Sequence, residues 1–362
     1  LVVVVLAGGS GTRLWPRSRV SAPKHLSTPA PDGRSLLRHA FDRAARLGGE
    51  LLVVTAAEQA AQVLAELPEL EPDRLLLEPE PHGTGPALTW AAIRALELRP
   101  QAVVLSLHAD HYMPNISATT TALLSAASWA RLSPVLISIG LKPTWAAPGF
   151  GYVEAGTEIP RPALLGRALP LLHGRGFVEK PGPDRALQLL AGGHSFWNTG
   201  LFAWRAELFL QEMETYAPEV AGSVADAVAS SDQGSAAFAE AWAKVPQGVV
   251  ERLVLERSPK LAVLPVDLPW SDLGSFLDLY QAAIQAGRAD AMKNVVSGDA
   301  LLLDSAGNYV DAAAKRLVVV LGTEGLVVVD TEDALLVCPL SRVQEVAKVV
   351  AEVRRRGRPD LL

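Results

Sequence analysis

Three glycines and two cations near the start of the chain are spaced to handle a phosphate chain. Ala7-Gly8-Gly9-Ser10-Gly11-Thr12-Arg13-Leu14-Trp15-Pro16 is followed closely by Pro23-Lys24. Glycines leave backbone N–H groups free to approach a bulky anion with no Cβ in the way. Arg13 and Lys24 add positive charge. The stretch does not fit a P-loop, which would end in Gly-Lys-Ser/Thr. Nor does it fit a dinucleotide fingerprint. Gly9-x-Gly11 begins one, but Leu14 stands at the third glycine, and the next apolar run ends in Thr55 without an acid for a ribose. A Gly-rich strand-to-helix turn that binds nothing is the alternative.

Further chemistry lies downstream. Asp110, in Ser106-Leu107-His108-Ala109-Asp110-His111, can hold a divalent cation against nucleotide phosphates. The same stretch carries the tail of a zinc-hydrolase pattern, His-x-His-x-Asp-His. Ser106 stands at its first ligand position, and His25, His39, His82, His173 and His194 are scattered. A zinc site is therefore short of ligands, and His108 reads as a core or hydrogen-bonded histidine. Asp272, in Trp270-Ser271-Asp272-Leu273-Gly274, suits the N-cap of a following helix. Glu179-Lys180 reads on its own as an exposed ion pair. Asn198 carries an amide that both donates to and accepts from vicinal hydroxyls, and Trp197 beside it reads as core.

These residues need elements to position them. The 362-residue chain is long enough for a large domain and a smaller one, and 49% of it is apolar. Residues 1–6 form an unbroken apolar run, the pattern of a strand buried on both faces. Further strands are expected at 51–54, 74–77, 102–107 and 135–140. Helices are expected between them at 36–47, 58–66, 88–98 and 116–131. Such alternation predicts a Rossmann-like α/β fold with a mostly parallel sheet flanked by helices. Ligands on that sheet bind outside the carboxyl ends of the strands, where the glycine loop, Glu78 and Asp110 fall. Beyond residue 150, strands are expected at 152–158, 171–178, 200–204 and 263–268, and helices at 184–190 and 275–286. A helical region over 207–256 is broken near Pro218, Gly234 and Pro246. Short strands at 295–296, 300–303, 317–320, 326–329 and 335–337, then a helix at 342–354, predict a small β domain. It is either a few turns of a β-solenoid or a β-sandwich appendage. The boundary is placed at 290/291.

The net charge of −6 argues against a nucleic-acid polymer as partner. The single cysteine, Cys338, excludes a disulfide framework and fits a cytoplasmic location. No apolar run is of membrane-spanning length, and the start reads as a strand rather than a signal peptide.

Taken whole, Gly8-Gly9-x-Gly11-Thr12-Arg13-Leu14-x-Pro16 with Pro23-Lys24 resembles the loop of the sugar-nucleotide pyrophosphorylases, and Leu14-Trp15-Pro16 resembles their mannose-1-phosphate guanylyltransferase branch. The resemblance covers nearly the whole chain. It implies that Leu6, Ala7, Gly8, Gly9, Ser10, Gly11, Thr12 and Arg13 hold the nucleotide. Arg13, Lys24 and Asp110 would be catalytic, and Asp110 and Asp272 would hold Mg2+. Phe177-Val178-Glu179-Lys180-Pro181 matches the family's Phe-Val-Glu-Lys-Pro, with Lys180 for the sugar phosphate and Glu179 for a sugar hydroxyl. Trp197-Asn198-Thr199-Gly200-Leu201-Phe202 and Gly149-Phe150-Gly151-Tyr152 match two further sugar segments. They add Asn198, Thr199, Gly151 and Tyr152 to the sugar-phosphate set.

Glu78-Pro79-Glu80-Pro81-His82-Gly83-Thr84-Gly85-Pro86-Ala87 stands where the guanylyltransferases read Glu-Pro-x-x-Arg-Asn-Thr-Ala-Pro-Ala and contact the base. Glu78 and Thr84 are retained; His82-Gly83 replaces Arg-Asn. Val249-Val250-Glu251 departs from the family's Ile-Asp, and Glu251 is not counted among the site residues.

The implied reaction joins GTP and mannose 1-phosphate into GDP-mannose and pyrophosphate. A homodimer is left open. The chain ends before the isomerase domain that many guanylyltransferases carry, so no isomerase activity is expected. Two other readings stand beside the zinc hydrolase. One is transfer to glucose 1-phosphate from dTTP or UTP, and the other is a non-catalytic nucleotide-sugar sensor.

Overall fold

The computed structural model describes residues 1–362 apart from Ser10 and Ser231. The chain divides into two compact units. The first comprises Leu1–Gly8, Ala40–Ala109 and Met113–Pro269. The second comprises Gly9–His39, Asp110–Tyr112 and Trp270–Leu362.

The first unit is built on a nine-stranded sheet among the described residues. In chain order its strands are β1 (Val2–Ala7), β2 (Glu50–Ala56), β3 (Leu75–Glu78), β4 (Val103–His108), β5 (Leu136–Leu141), β6 (Tyr152–Glu158), β7 (Leu172–Val178), β8 (Ser195–Arg205) and β9 (Leu261–Val266). Their order across the sheet is β3-β2-β1-β4-β8-β5-β9-β7-β6. β3, β2, β1 and β4 run parallel, as do β5 and β9. β1 is buried along its whole length, as its apolar run predicts.

The sheet is mixed rather than mostly parallel, because β8 lies antiparallel between β4 and β5. β6 and β7 also pair antiparallel, since no crossover α-helix joins them. β8 is longer than the expected 200–204, so Asn198 and Thr199 lie on a strand rather than in the loop before it. Helices Thr84–Leu98, Ala206–Tyr216 and Pro218–Ser230 supply Trp90, Phe209, Met213 and Val224 to the core against β-strand residues such as Val4 and Trp204. The region ends in a short π-helix, Glu251–Leu255.

In the second unit, the glycine loop runs into a 3-10 turn, Thr12–Leu14, and then a one-turn helix, Lys24–Ser27. Leu14 and Trp15 pack in one core with Phe276, Val327, Val346 and Val350. The C-terminal strands are β10 (Val295–Gly298), β11 (Ala300–Leu303), β12 (Tyr309–Ala312), β13 (Val318–Leu321), β14 (Leu326–Asp330) and β15 (Leu335–Pro339). β10, β12 and β14 stack in parallel, and so do β11 and β13, as successive coils of a solenoid.

β12 escapes the sequence reading because Tyr309-Val310-Asp311-Ala312 is too polar and too short to stand out as an apolar run. Inside the coil, Asn308 is fully buried. Its amide donates to Asn294 Oδ1 (3.1 Å) and the Thr323 carbonyl (3.2 Å), and its oxygen accepts from the Leu326 N–H (2.8 Å). The backbone groups of the turns are satisfied through this side chain. The expected helix at 342–354 begins instead as a 3-10 stretch, Leu340–Glu345, before Val346–Arg355.

Candidate active site

In the second unit the loop brings opposite charges together. Gly11 is in the left-handed region (φ 62°), and a Cβ there would lie 2.6 Å from Lys24 Cβ. Only glycine leaves room for the lysine stem to pass. Lys24 is 5% exposed. A buried ammonium requires partners. Its Nζ donates to Asp110 Oδ2 at 2.7 Å and to the carbonyl oxygen of Asp272.

Asp272 lies in a strained turn, with Leu273 at φ 45°. The turn brings the Asp272 carboxyl and the Arg13 guanidinium to one glycine. A Cβ on Gly274 would lie 2.9 Å from Asp272 Oδ2 and 3.3 Å from Arg13 Nη2. Burial raises the Asp272 carboxyl above its ordinary range, Lys24 and Arg13 oppose this, and Asp278 and Asp110 add to it. The helix N-cap is Ser275, not Asp272. Within its turn the Asp272 carboxyl accepts a 3.3 Å bond from the Gly274 N–H through Oδ1. A carboxylate has about four lone-pair sites, so acceptor capacity remains for a cation. His25, beside Lys24, is buried and held neutral, its imidazole lowered to about 4 chiefly by burial.

This arrangement fits a hard divalent cation. Asp110 and Asp272 are oxygen donors from distant parts of the sequence, and both already face a cationic group, the Lys24 ammonium. Mg2+ takes one or two carboxylates and completes its shell with phosphate oxygens and water.

The first unit gathers a second set of polar groups. Asn198 is fixed on β8: its N–H donates to the Gly151 carbonyl (2.7 Å), and its Oδ1 accepts from Ser138 Oγ (2.9 Å) and the Gly200 N–H (3.1 Å). Those acceptances orient the amide so that Nδ2 donates to Glu251 Oε1 at 3.2 Å. Glu179 borders the same place, since a Cβ on Gly151 would lie 2.6 Å from its Oε2. Lys180 pairs with Glu179 at 3.2 Å, stays exposed, and has a left-handed backbone (φ 49°).

Two carboxyls of this unit are buried without a cation bonded to them among the described residues. Burial pushes Glu251 up to about 7; nearby Glu179 pushes the same way, while the Asn198 bond and Lys180 oppose it. Burial pushes Glu78, at the end of β3, up to about 8, against a hydrogen bond from the His82 N–H. Glu78 Oε1 has no partner among the described residues.

The structure thus brings Arg13, Lys24, Asp110 and Asp272 together in one unit, and Gly151, Glu179, Lys180 and Asn198 together in the other. Other expected residues are committed elsewhere. The Thr199 hydroxyl donates to the Ile139 carbonyl (2.7 Å), and the Tyr152 hydroxyl accepts from the Ala147 N–H (2.8 Å); both residues are buried. Leu6 and Ala7 are buried in β1 and offer only backbone. Gly8, Gly9 and Thr12 are exposed; Ser10 lies outside the described residues. Trp197 packs edge-on against Phe150 and Trp145, as core. Glu251 is the residue the sequence reading left out. Its one signal was its place near the family's Ile-Asp, and its burial comes from the π-helix that carries it.

Comparison with known proteins gives the family. Residues 2–288 match the nucleotidyl transferase family, and residues 298–353 match the mannose-phosphate isomerase/GMP-like β-helix domain. The chain is 33% identical to the xanthan biosynthesis protein XanB of Xanthomonas campestris pv. campestris, over 99% of this chain and 74% of that protein. It is 33% identical to the mannose-1-phosphate guanylyltransferase of Escherichia coli K12, over 99% of this chain and 75% of that protein. A crystal structure described as a mannose-1-phosphate geranyltransferase from Thermus thermophilus superposes with a TM-score of 0.83. It is 30% identical and covers 98% of this chain and 99% of that one.

Proposed function

The chain belongs to the nucleotidyl transferase family, within its mannose-1-phosphate guanylyltransferase branch, and from that premise we propose that it transfers GMP from GTP to mannose 1-phosphate. A phosphate oxygen of the sugar phosphate attacks the α-phosphorus of GTP. The bond to the β-phosphate oxygen breaks, and pyrophosphate leaves. The nucleophile is already anionic at neutral pH, so no general base is required. Catalysis rests on alignment and on charge neutralisation.

The observation that supports this reading most is the buried Lys24 ammonium, poised between Asp110 and Asp272. We assign Lys24 to the α-phosphate and Arg13 with the loop amides to the departing β,γ-phosphates. Lys180 is assigned to the phosphate of the sugar, and Glu179 and Asn198 to its hydroxyls. Asp110 and Asp272 would hold the metal, for which we propose Mg2+; when bound it neutralises phosphate charge during the displacement. Glu78 is assigned to the base. A carboxyl raised to about 8 stays protonated at neutral pH and can donate as well as accept.

No helix among the described residues is long and apolar enough to cross a membrane. We place the enzyme in the cytoplasm, where a chain with one cysteine needs no oxidising compartment.

A matrix of nucleoside triphosphates against sugar 1-phosphates, read by pyrophosphate release, tests the assignment. GTP with mannose 1-phosphate is the expected best pair. His82-Gly83, in place of Arg-Asn, motivates the competing outcome of dTTP or UTP with glucose 1-phosphate. Absence of pyrophosphate with every pair would sink catalysis and leave the sensor reading.

A further inference from the structure

The segment in which this chain departs from its family, His82-Gly83-Thr84-Gly85, is bonded to the stretch that carries Glu251. The Gly248 N–H donates to the His82 carbonyl (2.9 Å), and the Gly85 N–H donates to the Gly248 carbonyl (3.0 Å). The two backbones are so close that a Cβ on Gly83 (φ 96°) would lie 2.6 Å from the Gly248 oxygen. The glycine that replaces the family's Asn is therefore what lets the segments meet.

Thr84 sits at the centre of this seam. Its Oγ1 accepts from the Val250 N–H at 3.0 Å and lies 3.5 Å from Glu251 Oε2. A threonine hydroxyl has one proton to give and lone pairs to accept with. Both functions are used here: one by the backbone at the start of the π-helix, the other by the carboxylate. The far oxygen of the same carboxylate takes the Asn198 amide at 3.2 Å. A continuous chain runs from Val250 through Thr84 and Glu251 to Asn198 and Ser138. No part of it needs Thr84 to touch a nucleotide.

We infer that Thr84 is a positioning residue for the sugar-phosphate pocket: its hydroxyl anchors the π-helix at Val250 and aims the Glu251 carboxylate at Asn198. This rests on the proposed assignment of Asn198 to the sugar. It shifts Thr84 from the base contact that the family motif implies to a link between the base segment and the sugar segment.

The test uses the full chain with Thr84→Val, which removes the hydroxyl and keeps the branched shape, and Thr84→Ser, which restores the hydroxyl. Thr84→Ala replaces the valine variant if that one does not fold. The first readout is steady-state kinetics. Thr84→Val should raise KM for mannose 1-phosphate about tenfold, the effect of about one lost hydrogen bond, with KM for GTP changed less than about twofold. Thr84→Ser should return most of the loss. A rise in KM for GTP with KM for mannose 1-phosphate unchanged would overturn the inference, because Thr84 would then act on the nucleotide directly.

The second readout needs no turnover. Hydrogen exchange at the buried Val250 amide should quicken about tenfold or more in Thr84→Val and stay slow in Thr84→Ser. Unchanged exchange in the valine variant also overturns the inference. If the wild-type chain turns over no sugar phosphate, the proposed reaction fails, and the Val250 measurement still decides the role of Thr84.

Discussion

Around Lys24, opposite charges gather: the buried ammonium pairs with Asp110 and donates to the Asp272 carbonyl, and the Arg13 guanidinium and the Asp272 carboxyl both border Gly274. Around Asn198, the buried Glu251 carboxyl meets an amide and a hydroxyl instead and rises to about 7; elsewhere in the same unit, at the end of β3, Glu78 rises to about 8. The first arrangement is of the kind that stabilises charge moving during a reaction, as proposed for it. The second offers neutral or weakly charged oxygens that suit hydroxyl and amide groups of a ligand without a strong local field. The two regions thus differ in the task that burial sets. In the first, nearby cations oppose the push of burial on Asp272; in the second, no cation is bonded to Glu251 or Glu78 among the described residues, and burial suppresses ionisation.

The largest expected effect tests the ion-paired region. Lys24→Ala should lower kcat about 10²- to 10³-fold, the usual loss for one electrostatic contact made in the transition state, with the thermal melt still cooperative. Asp110→Ala should behave alike. Wild-type-like turnover in either variant would break the comparison, since the cluster would then be only structural.

A smaller effect is expected in the other region. Glu251→Gln keeps the shape and removes the ionisable oxygen, so KM for mannose 1-phosphate should rise roughly tenfold with kcat altered less. A fall in kcat as large as that of Lys24→Ala would show that the two regions do not divide the work as described.

The last effect concerns stability rather than turnover. In the unfolded chain Glu78 ionises near 4.5, and in the folded chain near 8. Between these values the unfolded state holds fewer protons, so Glu78 lowers stability as pH rises through the window and has no further effect above it. Glu78→Gln lacks this slope. Its stability relative to wild type should grow by at most about 1.4 kcal/mol per pH unit between those limits. Urea melts across the range would show it, and a pH-independent difference would mean that Glu78 is ionised when folded.

The parts legible in sequence were those built from neighbours in the chain. The run at 1–6 lies in a fully buried strand. Gly11, Arg13, Lys24 and the Trp-Ser-Asp-Leu-Gly stretch carry patterns in consecutive residues, and tertiary contact only completes them. The solenoid was half legible. Even spacing suggested it, but β12 was hidden, and the choice over a sandwich waited on the parallel register of β10, β12 and β14.

By itself the sequence determined the glycine loop, the cations and carboxylates that accompany it, and the alternation that sets strands beside helices, because each is written in local spacing. Only the tertiary structure decided that β8 turns antiparallel, that Asp272 is no helix cap, and that Thr84, Asn198 and Glu251 form one hydrogen-bonded chain. Those three residues lie far apart in sequence and are joined by the packing of Gly83 on Gly248 and by a π-helix. Burial and partner geometry, which set their chemistry, exist only once the backbone has closed around them.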